Sequence, residues 1–600
     1  MTGIRLLSVA RVAIPITTAS AEWAPKQGPL ATRWTKAVTP TNVWAEYPRP
    51  QLKRPEWRNL NGLWQYSIRN ADESKPTEWD GEILVPFCVE SALSGVMKRV
   101  GPDQALWYQR EFAVPADWRE QQVLLHFGAV DWQAEIWVNG KFAGGHRGGY
   151  DPFTLNITEF LADGQNSLSV KVVDPTDRGY QARGKQVLKP KGIWYTPVTG
   201  IWQTVWLEQV SRTYIRSLNM VPDLDASSLH VTVNASEEAD VRITVFDGDT
   251  NVARAEGTTQ RPISVAIENV KPWSPANPHL YGLKIELLRD GNVVDSVRSY
   301  AALRKIEVKP DADGANRLWL NGEVLFQYGP LDQGWWPDGL YTAPCDEALK
   351  YDVEVTKNLG FNMTRKHVKV EPARWYYWCD KLGLLVWQDM PSGDGHPDWK
   401  RGVDQRGAEL RRSAVSAEGF REELTQLVTD FGCHPSIVVW VPFNERWGQS
   451  DTAEQVAWIR RLDPTRPINS ASGGNFYGVG DILDVHNYPD PVMPRLDKHQ
   501  AIVCGEFGGL GLPLKGHTWL DEGNWGYRSY ETKQALQQAY LEKLAMLKPM
   551  IDKGLAAAIY TQITDVEVEI NGLLTYDRDI IKMDQEVIRK ANRDLYEDED

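Results

Sequence analysis

Two glutamates stand where acid–base and nucleophilic chemistry could be done. Glu445 ends the run Ser436-Ile437-Val438-Val439-Trp440-Val441-Pro442-Phe443-Asn444. Glu506 ends Ala501-Ile502-Val503-Cys504-Gly505 and is followed by Phe507-Gly508-Gly509. Each run is short and apolar with β-branched residues, as expected of a parallel strand covered on both faces. Each stops at one carboxylate, flanked by an amide or by glycines that let a substrate approach the backbone. In a parallel α/β barrel the C-terminal strand ends carry the chemistry. Two carboxylates on two such ends suit cleavage of a glycosidic bond by an acid/base and a nucleophile.

The elements that must position this pair begin near residue 304, where strands alternate with helices. Glu347 to Leu359 reads as a helix, and so does Ala417 to Phe431, with Phe420, Leu424, Leu427, Val428 and Phe431 as its apolar stripe. Strand candidates are 361–364, 384–387, 437–441, 485–488, 501–504 and 556–560. Such alternation over residues 304–600 predicts a C-terminal (β/α)8 TIM barrel. Upstream the period is that of strands. Residues 41–210 predict a jelly-roll β-sandwich, with clean alternation in Ser167 to Val172 and a hairpin signal at Asn139-Gly140. Residues 211–303 fit an immunoglobulin-like sandwich.

Bulk properties narrow the function. A chain of 600 residues is too long for one core. Its 26 tryptophans fit carbohydrate stacking and equally fit large sandwich cores. A net charge of −14 argues against nucleic acid, which needs a basic footprint. No apolar run is long enough to span a membrane. The five cysteines, Cys88, Cys345, Cys379, Cys433 and Cys504, have no metal-ligand spacing and read as buried free thiols, so no metal or cofactor is expected. Residues 1–40 read as an N-terminal tail or signal-like segment. Ala19-Ser20-Ala21 is like a cleavage site, but Arg11 and Pro15 interrupt the apolar stretch, so export and retention in the cytoplasm are equally open.

The landmarks resemble glycoside hydrolase family 2, the β-galactosidases, β-glucuronidases and β-mannosidases, over about residues 45–596. They are Gly192 to Trp202, Asn362-Met363-Thr364-Arg365, Asp380 to Val386, Asn444-Glu445, Gly505-Glu506-Phe507-Gly508 and Asn571 to Arg578. The resemblance implies the sugar-binding-type first sandwich and a retaining mechanism with a covalent glycosyl intermediate. Glu445 would be the acid/base and Glu506 the nucleophile, about 5–5.5 Å apart. A dry pocket and the charge of Glu506 should raise the pKa of Glu445 until Glu506 is glycosylated. Asn444 would bind the sugar 2-hydroxyl, Tyr488 would touch the nucleophile, and Arg365 would hold it ionised. Homodimers are common in the family.

Departures bear on the substrate. Arg365-Lys366-His367-Val368 stands where many members have Arg-x-Ser-His, so His367 and Lys369 line the pocket differently. The glucuronidases' Asn-x-Lys carboxylate clamp is replaced by Glu569-Ile570-Asn571, which disfavours a uronate. Tyr560 stands in for the tryptophan platform of the last strand, with Asp332, Trp335 and Trp336 as further pocket candidates, and Asp389 could bind hydroxyls. Of the loop Arg183 to Tyr195, Lys185, Lys189 and Lys191 read as solvated, with contact to a substrate hydroxyl or carboxylate as the other reading. The expectation is an exo-acting enzyme of β-galactosidase type on an oligosaccharide or glycoside. β-Mannosidase, α-L-arabinosidase and β-galactofuranosidase stay open, with a non-catalytic sugar-binding protein as the remote alternative.

Overall fold

The computed structural model describes residues 23–118, 120–399 and 407–597. The signal-like reading of residues 1–21 therefore lies outside the described residues. Residues 23–40 are docked rather than loose. Thr32 and Thr35 both donate hydroxyl hydrogen bonds to Asp338, at 2.6 and 2.5 Å, and the Trp34 ring meets the edge of Trp336.

The first sandwich has a six-stranded antiparallel sheet facing a four-stranded one. Alternation places Leu168, Val170 and Val172 in the core between them. Val138 and Lys141 pair across the Asn139-Gly140 turn, whose φ values of 52° and 75° give the mirror-image turn that matches strand twist. The immunoglobulin-like unit, between Ile215 and Ala301, packs a three-stranded sheet on a four-stranded one.

The barrel strands are β1 (Gln327–Asp332), β2 (Met363–Lys366), β3 (Leu385–Asp389), β4 (Ile437–Val441), β5 (Ile482–His486), β6 (Ala501–Gly508) and β7 (Leu555–Thr561). They form one parallel sheet in the order β4-β3-β2-β1-β7-β6-β5. The gap between β4 and β5 is spanned by residues 468–472, through single bridges of Ile468 to Trp440, Ser472 to Asn444 and Asn469 to Ile482. The curled sheet is thus the TIM barrel expected. A small sheet beneath it, 306–324, puts Ile306, Leu318 and Leu320 against Leu331, Met363 and Leu385, sealing the N-terminal strand ends with apolar side chains. The site must then lie at the other end.

Both predicted helices are present, as Asp346–Asn358 and Ala414–Phe431, the second capped by the Ser413 hydroxyl and burying the whole predicted stripe. All five cysteines are free; Cys345 and Cys433 are only partly buried. No helix among the described residues is long and apolar enough to cross a membrane.

Candidate active site

Strand β6 is buried along its whole length and delivers Glu506 near its end. It passes close under β5: a Cβ on residue 505 would fall 2.0 Å from the Asp484 carboxylate, so the position before Glu506 must be glycine. Strand β4 runs through Pro442 and Phe443 to Asn444 and Glu445. There the backbone turns into the left-handed region, φ 51° at Glu445, fixed by its N–H on the Ser472 carbonyl at 2.6 Å. One carboxylate oxygen of Glu445, one of Glu506 and a ring nitrogen of His486 lie within 4.8 Å of one another. So close an approach of two carboxylate oxygens is compatible with the about 5–5.5 Å between the carboxyls of a double-displacement pair.

The two glutamates differ in surroundings. The Glu506 side chain is 8% exposed and that of Glu445 18%. Arg365, at the end of β2, donates to Glu506 Oε1 at 3.1 Å, and the Tyr488 hydroxyl donates to Oε2 at 2.7 Å. His486 Nδ1 lies 3.4 Å from the same Oε2 and 3.5 Å from Glu445 Oε1. Burial pushes the Glu506 carboxyl up, but the charges of His486 and Arg365 and the Tyr488 hydroxyl outweigh it and bring it down to about 2. Burial lowers His486, yet Glu506, Glu445 and Asp484 together raise it above the usual imidazole value. His486 is tied to Asp484 through the Ser472 hydroxyl, 2.8 Å from its Nε2 and 2.5 Å from Asp484 Oδ2.

Arg365 has more partners than Glu506. Its Nε and Nη2 donate to Asp389 at 3.0 and 2.9 Å, and Nη2 donates to Asn444 Oδ1 at 2.7 Å. Asn444 Nδ2 has no partner among the described residues and is left to donate into the pocket. His367 Nδ1 stands 3.3 Å from Asp389 and 3.9 Å from Glu506. Burial, with the charges of Lys185 and Arg365, holds His367 well below the usual range, so the ring is neutral.

The structure therefore brings together Glu445, Glu506, Asn444, Tyr488, Arg365, His367 and Asp389. Asp389 needs correction as a sugar-binding group: it is wholly buried and saturated by Arg365 and the Val368 N–H. Tyr560 is also corrected. Its ring is 0% exposed and edge-on to Phe507 and Tyr540, so it faces the helix Lys533–Asp552 and forms no platform. The next residue, Thr561, points inward instead, its hydroxyl 2.8 Å from that of Tyr488. Asp332 is buried in an ion pair with Lys366 at 2.7 Å, and Lys366 also reaches Glu371. Trp335 packs behind Tyr195, while Trp336 lies under the Arg578 guanidinium at 3.9 Å, so neither lines the carboxylate pair.

His486, Thr561 and Tyr527, whose ring stacks on Tyr488 at 3.7 Å, are site residues that sequence reasoning missed. The signal for His486 was present: Asp484, His486 and Tyr488 alternate, so they share one face as the chain leaves β5. Among the described residues, two clusters have geometry that could hold a cation. One is the Glu445, His486 and Glu506 group, where Arg365 and His486 already supply positive charge; the other is His517, Asp577 and Asp579.

The comparisons agree with this architecture. Profiles described as glycosyl hydrolases family 2, sugar binding domain, as glycosyl hydrolases family 2, and as glycosyl hydrolases family 2, TIM barrel domain match residues 96–210, 213–304 and 344–501, together more than half of the chain. A putative β-glucuronidase of Formosa agariphila is 26% identical over 74% of this chain and 54% of its own length. A β-galactosidase of Thermoanaerobacter pseudethanolicus is 26% identical over 77% and 62%. The chain thus spans about half to three fifths of the length of these curated relatives. A solved β-D-glucuronidase of Dictyoglomus thermophilum superimposes with a TM-score of 0.70 at 20% identity, covering 91% of this chain and 98% of that one. The β-glucuronidase of Ruminococcus gnavus gives 0.71 at 17%, covering 92% and 99%. With the three domain profiles in consecutive order and the fold they describe in place, the chain belongs to glycoside hydrolase family 2.

Proposed function

We propose that the chain is a retaining, exo-acting glycoside hydrolase of β-galactosidase type. The observation that carries this reading is the Glu445–Glu506 pair: one oxygen of each carboxylate within 4.8 Å of the other, with Glu506 held ionised by Arg365, His486 and Tyr488. In the first step a Glu506 oxygen attacks the anomeric carbon. The bond from that carbon to the leaving oxygen breaks, and Glu445 gives that oxygen its proton. In the second, Glu445 takes a proton from water, the water oxygen bonds to the anomeric carbon, and Glu506 leaves. Asn444 Nδ2 binds the 2-hydroxyl, where a contact strengthens as the oxocarbenium ion forms.

The sugar rests on less. The galactosidase reading is supported by relatives bearing that name and by Glu569, which takes the first position of the glucuronidases' clamp and is buried on the Tyr195 hydroxyl and the Asn571 amide. A uronate would meet a second carboxylate there. The glucuronidase reading is favoured by the names of other relatives and of the solved structures. The test is hydrolysis of aryl β-galactoside, β-glucuronide, β-mannoside, β-glucoside, α-L-arabinosides and β-galactofuranoside by the wild type and Glu506→Ala. Turnover of the β-galactoside that vanishes in the variant supports the proposal. Preferred turnover of the glucuronide replaces the sugar, and full activity of Glu506→Ala removes the nucleophile assignment.

A further inference from the structure

One cation beside the site has neither an ion pair nor a hydrogen bond among the described residues. Lys185 is carried by the first sandwich and is only 6% exposed, against the exposed Lys189 and Lys191 of the same loop, which are solvated as expected. Its ammonium lies 5.6 Å from the Tyr195 ring centre and 5.9 Å from that of Trp447, two residues beyond Glu445. The stem is buried, while the ammonium is not among the fully enclosed polar atoms and is free to donate to a ligand that enters beside it.

The loop is built to hold it there. Arg183 and Gly184 donate their N–H groups to the Ser392 carbonyl at 2.8 and 2.9 Å, and Tyr195 N–H donates to the Lys185 carbonyl at 3.0 Å. Gly184 adopts φ 58°, and a Cβ on it would lie 2.5 Å from the Val368 carbonyl oxygen, directly after His367. The sandwich thus docks backbone to backbone on the barrel beside the site.

We propose that Lys185 is a specificity-determining residue whose ammonium donates hydrogen bonds to ring hydroxyls of a neutral terminal sugar. This rests on the glycosidase reading and on a sugar without a carboxylate, though not on which neutral sugar it is. Glu569 is the group that disfavours an anionic ligand here. Glu569 takes the Tyr195 hydroxyl at the far end of the ring beneath Lys185, and Glu506 and Asp389 are already matched by Arg365 and His486. A hydroxyl accepts from the ammonium without adding a further negative charge.

The test compares wild type with Lys185→Met, of similar length but uncharged, on the aryl glycoside that wild type cleaves best and on its mono-deoxy analogues. A hydrogen bond to a charged group predicts a loss in kcat/KM of about 10- to 150-fold. The loss should vanish for the analogue lacking the hydroxyl that Lys185 touches. A change within about threefold on the parent, or an equal loss on every analogue, overturns the proposal; so does a loss confined to uronides. Binding of the same glycosides to Glu506→Gln, with and without Lys185→Met, reads the contact without turnover. Lys185-dependent binding together with a wild type that cleaves no member of the panel would sink the glycosidase reading while keeping the contact between Lys185 and the sugar. Binding that is independent of Lys185 would sink that contact alone.

Discussion

The guanidinium of Arg365 and the carboxylate of Glu506 lie 3.1 Å apart, with the arginine side chain wholly buried. The same guanidinium holds Asp389 and Asn444, so three strand ends converge on one fork. Arg365→Met would leave two carboxylates buried without their cation. The expected cost is about 3–5 kcal/mol of stability, read by urea denaturation. Arg365→Lys should recover part of that stability but little activity, because a single ammonium cannot span the three partners. Full activity in Arg365→Lys would count against the fork as the organiser of the site.

The two glutamates should separate by their response to azide. Glu445→Ala should lose about 10²- to 10⁴-fold on a poor leaving group. It should lose much less on a dinitrophenyl glycoside, which needs no proton. Azide should then attack the glycosyl-enzyme and give a product of retained configuration. Glu506→Ala should instead give the inverted azide, since the ion enters the space of the lost carboxylate. NMR of the product anomer decides, and the opposite pattern would exchange the two roles.

The pH dependence of stability should have two arms of opposite sign. Glu506 is held at about 2, below the about 4.3 of a free glutamate. Its contribution is full above about pH 4.3 and is lost as pH falls toward about 2. His486 is raised, so its contribution is full below about 6.5 and is lost as pH rises through its folded value. His486→Gln should abolish the upper arm and shift the acid arm upward, because a cation beside Glu506 is gone. Denaturation midpoints from about pH 2 to 9 test both; an unmoved acid arm would show that His486 does not depress Glu506.

Tyr488 donates to Glu506 Oε2 at 2.7 Å and is braced by Tyr527 and Thr561. Tyr488→Phe removes a hydrogen bond to a charged group, which predicts a fall in kcat of about 10- to 150-fold. If the hydroxyl assists release of the intermediate, stopped-flow traces should gain a burst of aryl alcohol. A fall without a burst would place its effect on the first step.

Gly184→Ala should be costly despite its distance in sequence from the barrel. The left-handed backbone and the Val368 carbonyl both exclude a methyl group, so a loss of about 1–3 kcal/mol is expected, measured by thermal melting. Activity should fall further than stability alone explains, since the loop carries Lys185. Activity equal to wild type would show that the loop can shift without consequence.

The sequence carried the site where its chemistry is local. Glu445, Glu506, Arg365 and Tyr488 stand at or just beyond strand ends, and a short apolar run ending in a polar residue is visible without a fold. Errors came where one residue of register decides direction. Tyr560 and Thr561 are neighbours, and alternation sends one to the helix layer and the other to the pocket. Asp389 was legible as a strand-end carboxylate, but its consumption by Arg365 depends on a side chain from another strand. Lys185 reads as one more lysine of a polar loop. Its burial follows from contacts with residues 392 and 368, about two hundred positions away. Residues 23–40 lack periodicity because they are held by single hydrogen bonds and ring contacts, which leave no repeat in the sequence.

The docking of the 183–195 loop on the barrel also separates two things that could have been inherited together. The carboxylates proposed to break the bond belong to one unit, and the lysine proposed to choose the sugar belongs to another. Exchange of the sandwich between homologues would then transplant preference while leaving the reaction in place, provided each donor keeps a glycine at the seam.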